Sequence, residues 1–186
     1  MLIILKKKKT LMKNYRFKIM KSYIHYLFAF ILILFSCGSN QKPSPPVLVQ
    51  SKIGNSEIVI KYNSPRVRDR VVWGELVAYD KIWRTGANEA TIFSVNKDIL
   101  LNNNNLPKGE YSLFTIPGKD NWTVIFNSVS KQWGSYDYES EQDALRFDVK
   151  PSKSENFIEN MTFSIVDDNI IFNWENLTFS FKVKEL

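Results

Sequence analysis

The chain has 186 residues and a formal net charge of +6, but its positive charge is concentrated at one end. Residues 1–36 contain eight of the 25 basic residues and no acidic residue. The 17 basic residues that remain are outnumbered by 19 acidic residues, so residues 37–186 carry a net charge of −2. A nucleic-acid-binding function is therefore not predicted, since it would require a basic surplus outside this N-terminal segment.

Residues 1–36 have the pattern of a secretory signal peptide. A Lys-rich start is followed by the apolar run Y-L-F-A-F-I-L-I-L-F at residues 26–35 and then by Ser36. A basic region, a short apolar region and a small residue before the cleavage site define such signals. A membrane-spanning anchor is the alternative, but a spanning helix needs about 20 consecutive apolar residues. We therefore expect residues 1–36 to be a cleaved leader.

Cys37 is the only cysteine of the chain and follows this leader directly. The string L-F-S-C at residues 34–37 resembles a bacterial lipobox, in which the cysteine is lipid-modified after cleavage. One acyl chain binds a membrane only marginally, whereas several chains anchor a protein lastingly. We predict a lipoprotein held in the membrane through Cys37; a soluble periplasmic protein cleaved nearby is the alternative. Gly38 and the lack of an acidic run after Cys37 favour the periplasmic side of the outer membrane.

Residues 37–46 are polar and proline-rich after the cysteine, which is typical of a tether. Residues 47–186 are expected to form a single domain, because several runs in them alternate apolar and polar side chains. This period of two is typical of antiparallel strands with one face in the core. The clearest runs place apolar residues at Ile58, Ile60 and Tyr62, at Leu145, Phe147 and Val149, and at Leu177, Phe179, Phe181 and Val183. The alternation is weaker at residues 111–116, 122–127 and 161–166.

Turn-forming residues separate these runs, among them Gly54-Asn55, residues 102–105, residues 117–120 and residues 167–169. Glycine and asparagine tolerate the positive φ angles of tight hairpins. About eight to ten short strands at this spacing predict an all-β fold, a two-sheet antiparallel β-sandwich. One short helical turn is predicted at residues 140–145, and Trp73, Trp122 and Trp174 are predicted core residues.

The residues available outside the leader limit the chemistry. The only histidine, His25, lies in the leader, so residues 37–186 lack the histidine of Ser-His-Asp and Cys-His catalysis and of histidine-ligated metal sites. No glycine-rich phosphate loop precedes a helical pattern. We predict no cofactor and no metal, and we expect a binding module more than an enzyme.

The most unusual stretch is I-W-R-T-G-A-N-E-A-T at residues 82–91. Gly86 allows a sharp turn that would bring Arg84, Asn88 and Glu89 to one rim, and these planar polar groups beside Trp83 suit a sugar or a small polar ligand. In the structural alternative, Arg84 pairs with Glu89, Asn88 caps a turn and Trp83 fills the core. Buried polar groups need partners, and such a self-paired loop would supply them.

A second unusual stretch is Q-W-G-S-Y-D-Y at residues 132–138. Trp133 and Tyr136 would offer stacking surfaces for a sugar ring or an apolar partner. The alternative is an ordered loop whose aromatic residues cover one end of the sandwich. The acidic residues that follow, from Asp137 to Asp143, are interpreted as a solvated loop because the glycine of an EF-hand calcium loop is missing.

Several strings resemble one protein family, domain-of-unknown-function family 2911, whose members are secreted and lipid-anchored proteins of Gram-negative bacteria. They are S-P-R-V-R at residues 64–68, W-R-T-G-A-N-E-A-T at 83–91, L-P-K-G-E-Y-S-L-F-T-I-P at 106–117, W-T-V-I-F-N at 122–127 and Q-W-G-S-Y at 132–136. The resemblance covers roughly residues 50–184. It implies a location in the cell envelope, and it implies no activity and no catalytic residue.

We therefore expect a lipid-anchored envelope β-sandwich that binds a glycan or a small polar ligand through Arg84, Asn88, Glu89, Trp133 and Tyr136. Two alternatives stay open. The first is a hydrolase of envelope glycans, with Glu89 opposite Asp137 or Glu139 at the carboxyl separation that glycoside hydrolysis requires. The second is a structural accessory subunit with a large exposed apolar patch.

Overall fold

The computed structural model of the protein describes residues 44–186. The predicted signal peptide, Cys37 and residues 37–43 of the predicted tether lie outside the described residues, so the leader, the lipidation and most of the tether stay predictions. In residues 44–186, no helix has the length and apolar character needed to cross a membrane.

Two antiparallel sheets with ten strands make up the described part of the chain, which confirms the predicted all-β sandwich. The first sheet has the order β1 (Pro46–Ile53), β2 (Ser56–Asn63), β3 (Thr91–Val95), β6 (Gly109–Pro117), β7 (Trp122–Asn127) and β8 (Asp143–Val149). The second sheet has the order β5 (Asn104–Leu106), β4 (Ile99–Leu101), β10 (Asn169–Glu185) and β9 (Ser152–Val166). A short 3₁₀ helix, Ser140–Gln142, leads into β8 and confirms the first half of the helical turn predicted at residues 140–145; residues 143–145 already belong to the strand.

The apolar residues of the predicted alternating runs form the core between the sheets. In β2, Ile58, Ile60 and Tyr62 are buried and face the second sheet. In β10 the corresponding buried residues are Phe179, Phe181 and Val183. These strands follow the sequence pattern closely because each has one face in the core and one face toward solvent.

The weaker alternation of β6 and β7 also has a physical reason. Residues 111–115 of β6 and residues 124–127 of β7 are all buried, so both faces of these central strands are covered. The inner face packs on the second sheet, and Ile82, Ala90 and Tyr138 pack on the outer face. A strand buried on both faces does not need polar residues at alternate positions.

After β2 the chain crosses from the first sheet to the edge of the second. Met161 N donates to Pro65 O (2.9 Å), and Val67 N donates to Glu159 O (2.9 Å). Residues 65–67 therefore bond along the outward edge of β9. An uncovered strand edge would present a row of free N–H and C=O groups.

Two side chains strengthen the same seam between the sheets. Ser64 Oγ donates to Met161 O (2.7 Å), and Tyr62 Oη accepts from Phe163 N (3.1 Å). The rings of Tyr62 and Phe163 also meet edge to face, with centroids 5.3 Å apart and planes at 79°. We call this contact the β2–β9 seam.

Four of the five tryptophans meet in one cluster between the sheets. Trp73, Trp83, Trp122 and Trp174 have ring centroids 4.9 to 6.4 Å apart, mostly in edge-to-face pairs. Trp122 and Trp174 are fully buried, and Trp73 is partly buried against the core, as predicted. Edge-to-face contact is a favoured arrangement of aromatic pairs.

Candidate functional site

Residues 83–91, which we call the first loop, run beside β6 before the chain enters β3. Trp83 N donates to Thr115 O (2.8 Å), and Thr115 N donates to Trp83 O (2.9 Å). Thr91 N donates to Arg84 O (3.2 Å). Since neighbouring side chains of an extended segment point to opposite faces, Trp83 enters the core while Arg84 points to the outer face of the first sheet.

Thr85 has a left-handed backbone, with φ of 51°, although it is buried and β-branched. A β-branched residue rarely adopts this conformation. Its hydroxyl lies 3.2 Å from Trp83 O and 3.1 Å from Thr115 Oγ1, and Thr91 Oγ1 donates to Thr85 O (2.7 Å). The surrounding bonds thus hold a strained turn directly after Arg84. Strain of this kind is concentrated at functional sites.

Gly86 serves this turn in a different way from the one predicted. The left-handed residues are Thr85 and Asn88, with φ of 60° at Asn88. Gly86 is needed for space instead, because a Cβ would lie 3.0 Å from Thr91 Oγ1 and 3.2 Å from Asn63 O. The first loop is therefore packed closely against the end of β2.

Residues 132–138, which we call the second loop, are held on the outer face by Asn127. This buried side chain makes four hydrogen bonds. Its Nδ2 donates to Glu139 O and to Asp143 Oδ1, both at 2.9 Å. Its Oδ1 accepts from Val129 N and from Gln132 Nε2, both at 3.1 Å. One residue of β7 thus fixes the chain on both sides of the second loop.

A small apolar cluster lies under the second loop. Ala90, Phe114 and Ile125 are buried, and the ring of Tyr138 packs edge to face on Phe114 at 5.1 Å. Tyr138 therefore has the covering role that the structural alternative for the second loop predicts. It covers the outer face of the first sheet, not one end of the sandwich.

Tyr138 is held by a charged pair. Its hydroxyl donates to Asp143 Oδ2 (2.7 Å) and accepts from Arg146 Nη2 (2.8 Å), while Arg146 also bonds Asp143 (2.6 Å). Burial, followed by the hydrogen bond to Asp143, raises the pKa of Tyr138 from its usual value of 10.0 to about 12. The side chain therefore acts as a neutral fastener of the second loop over the physiological range.

The two loops meet. Glu89 and Trp133 form an antiparallel backbone bridge, and Ala90 N donates to Gln132 O (3.0 Å). Gly134 has a left-handed φ of 68°, and a Cβ on it would lie 3.0 Å from Tyr136 Cε2 and 3.7 Å from Arg84 Nη1. The structure thus brings Arg84, Glu89, Trp133 and Tyr136 to one junction on the outer face.

Arg84 is half-buried at this junction. Its Nε is buried, and its guanidinium has no hydrogen bond or ion pair with any of residues 44–186. The pairing of Arg84 with Glu89 that the structural alternative requires is not formed. Glu89 Oε2 accepts instead from Asn63 Nδ2 (2.9 Å). A cation is therefore left available beside the second loop.

Gln132 is a residue of the junction that no sequence pattern singles out. It is 8% exposed, and its Nε2 donates to Asn127 Oδ1 (3.1 Å) and to Val129 O (2.8 Å). Since both partners are acceptors, they fix which end of the amide is nitrogen. Gln132 Oε1 is left buried, with no donor among the described residues. Gln132 is the first residue of the Q-W-G-S-Y string. Its burial is not predicted from the sequence, because a polar residue in a loop is usually solvated.

The exposed aromatic residues lie on the second loop. Trp133 is 59% exposed and Tyr136 81% exposed. Asn88 and Glu89 of the first loop are also exposed. The Asn88 side chain forms no hydrogen bond with the rest of residues 44–186, so it caps no turn there and its defined feature is the left-handed backbone.

A surface depression of about 370 Å³ adjoins the junction on the side of β1 and β2. Glu89 and Asn63 are among its polar lining residues, and Leu48, Ala90 and Ile92 are among the apolar ones. Its volume falls in the range of about 300–1,000 Å³ typical of small-ligand sites. Glu89 belongs to both places, because its backbone bonds the second loop while its carboxylate lines the depression.

The carboxylates of the two loops are exposed to solvent. Glu89 is exposed, and the described residues that line its depression include no second carboxylate. Asp137 and Glu139 are exposed as well. A general acid is usually made by burial against apolar surface or by a close second carboxylate. Residues 44–186 contain no group of three or more acidic, histidine or cysteine residues arranged for a metal ion.

Comparison with known proteins identifies one family. A family model described as "Protein of unknown function (DUF2911)" matches residues 44–183, which confirms the resemblance drawn from the sequence strings. No curated protein and no solved structure matches the chain.

Proposed function

The chain belongs to the family of proteins of unknown function DUF2911, and we propose that its domain is a binding module for a glycan or another small polar ligand. The binding surface is the junction of the first and second loops on the outer face of the first sheet. Arg84 of the first loop and Trp133 and Tyr136 of the second loop contribute the contacts, with Asn88 and Glu89 at the rim.

The unpaired Arg84 guanidinium carries this proposal. Removing a charge from water without a partner is unfavourable, and proteins normally pair such groups. Arg84 is half-buried and has no partner in residues 44–186, although its backbone is held by a strained turn at Thr85. The fold thus stabilises a position that a bound polar ligand would complete.

The aromatic residues supply the second type of contact. A largely exposed tryptophan and a largely exposed tyrosine within four residues expose apolar surface to water. Such rings stack on the apolar face of a sugar, and aromatic contacts add about 0.5–1.5 kcal/mol beyond their buried area. A planar guanidinium beside stacking rings is a combination that suits a pyranose with polar substituents.

The test compares ligand binding by four forms of the full-length chain, solubilised in a detergent without a sugar headgroup. Isothermal titration against a panel of envelope oligosaccharides measures the dissociation constant of the wild type. Trp133→Ala is expected to weaken binding by about 3- to 10-fold, from the energy of one aromatic contact. Arg84→Ala is expected to weaken it further, because the polar contact is lost.

The matched control is Phe157→Ala. Phe157 is an exposed aromatic residue of β9 in the second sheet, so its removal should leave binding unchanged. If Arg84→Ala and Trp133→Ala lower thermal stability but change no dissociation constant, the junction is structural and the proposal fails.

A structural accessory subunit is the second candidate, because the same surface could dock a protein. Val129, Trp133 and Tyr136 are exposed apolar residues close together in sequence. This candidate predicts a stable partner in cross-linking and pull-down, and loss of that partner in Trp133→Ala. Saturable binding of a purified oligosaccharide would decide against it.

The location of the domain is a separate proposal that rests on the sequence alone. The apolar leader and the L-F-S-C string support an outer-membrane lipoprotein anchored through Cys37 and facing the periplasm. Metabolic labelling with a radioactive fatty acid should mark the wild-type chain and should not mark Cys37→Ala. Fractionation that recovers unlabelled wild-type chain in the cytosol would contradict the anchor.

A further inference from the structure

We propose that the ligand of the junction presents an oxyanion, a carboxylate or a phosphate, to Arg84. This inference rests on the proposed function and specifies its ligand class. The expected ligand is an acidic sugar, either a uronic acid or a sugar phosphate. A guanidinium offers a rigid fork of N–H donors that matches both groups.

The charges around Arg84 favour an external anion. Arg84 forms no ion pair in residues 44–186, and the acidic residues of the same region are otherwise engaged or exposed. Asp143 bonds Arg146 at 2.6 Å. Glu89 accepts from Asn63 and lines the depression beside β1 and β2. No carboxylate of the described chain therefore neutralises Arg84.

The backbone at Gly134 keeps space beside the guanidinium. A methyl group there would lie 3.7 Å from Arg84 Nη1, which is ordinary contact distance, and 3.0 Å from Tyr136 Cε2, which is tighter than most contacts of a Cβ atom. Any side chain at residue 134 would therefore occupy the space next to Nη1 and push the Tyr136 ring aside by a few tenths of an ångström. Glycine leaves this side of the guanidinium accessible to a ligand oxygen, with Tyr136 at its edge.

The test measures charge preference in pairs of sugars with the same ring. Glucuronic acid is compared with its neutral amide, galacturonic acid with its neutral amide, and glucose 6-phosphate with glucose. Titrations use the full-length chain in a detergent without a sugar headgroup. Hydrogen bonds to charged groups are stronger than those to neutral groups, so the acid or the phosphate is expected to bind about tenfold tighter than its neutral counterpart. The preferred arm tells whether the oxyanion is a carboxylate or a phosphate.

Arg84→Gln should abolish this preference, so that the acidic sugar and its neutral counterpart bind the variant with the same affinity. Arg84→Lys should retain part of the preference, because it keeps the charge but not the planar fork. The preference should also shrink with added salt, since the charges are partly solvent-accessible. Thermal melts of both variants verify that they are folded.

Two outcomes overturn the inference without affecting the proposed function. Either acidic and neutral sugars bind equally to the wild type, or the preference for the acid survives in Arg84→Gln. If no sugar of any charge binds, the inference and the proposed function fall together.

Discussion

The β2–β9 seam offers a sharp test of how the two sheets are joined. In Tyr62→Phe the ring, which meets Phe163 at 5.3 Å, is retained, and only the hydroxyl that accepts from Phe163 N at 3.1 Å is removed. Phe163 N faces away from β10, so it has no ladder partner to replace this acceptor. Burial raises the pKa of Tyr62, consistent with a hydroxyl shielded from water.

The expected loss is the desolvation of one buried N–H group, about 1–3 kcal/mol in the free energy of unfolding. For a domain of this size, a loss of 2 kcal/mol lowers Tm by roughly 5–10 °C. Urea unfolding of the full-length chain in detergent, followed by circular dichroism, measures both the free energy and its urea dependence, which should be unchanged. Tyr136→Phe is the matched control, because its exposed hydroxyl makes no hydrogen bond with residues 44–186 and its removal should cost less than about 0.5 kcal/mol.

A loss below about 0.5 kcal/mol in Tyr62→Phe, equal to that of the control, would refute the reasoning. It would mean that Phe163 N finds water or another acceptor, and that the seam depends on backbone bonds alone.

Three further predictions concern the second loop. Gly134→Ala should lower the free energy of unfolding by about 1 kcal/mol, because alanine resists the left-handed φ, and should weaken ligand binding by displacing Tyr136; an unchanged Tm would contradict the strained backbone. Asn127→Ala should lower stability by about 2 kcal/mol and speed amide exchange across residues 128–139, since it removes four hydrogen bonds; unchanged exchange there would show that the loop is fixed by other contacts. The pKa of Tyr138 is higher in the folded chain than its usual 10.0, so its stabilising effect should be complete below pH 10 and lost as the pH rises through about 12. In Tyr138→Phe this alkaline decline should be smaller, which unfolding measured from pH 8 to 12 would detect.

The fold could be predicted wherever one physical rule acted alone. The alternation of β2 and β10 is visible in the sequence because each strand has a single core face. The Gly54-Asn55 turn between β1 and β2 is visible because Gly54 adopts the left-handed φ of 60° that glycine allows. The alternation fades in β6 and β7 because side chains from outside these strands, Ile82, Ala90 and Tyr138, cover their outer face.

The candidate site was only partly accessible to the same reasoning. The two unusual strings could be selected by composition, and the structure brings them together. Their contacts depend on backbone bonds such as those between Ala90 and Gln132, which no local pattern encodes. That Glu89 would bond Asn63 and leave Arg84 unpaired depends on the end of β2, 26 residues earlier in the chain. Opposite charges in a short loop suggest an ion pair until the position of a third residue is known.

The fluorescence of the protein can report on the loop junction, because four tryptophans are clustered in the core and the fifth is exposed. Trp73, Trp83, Trp122 and Trp174 lie close enough for excitation energy to pass among them, whereas Trp133 is exposed at the loop junction. The long-wavelength part of the emission should therefore come mainly from Trp133, and iodide should quench it selectively. A ligand that covers this ring would shift that emission and protect it from the quencher, so occupancy of the junction can be followed without any added label.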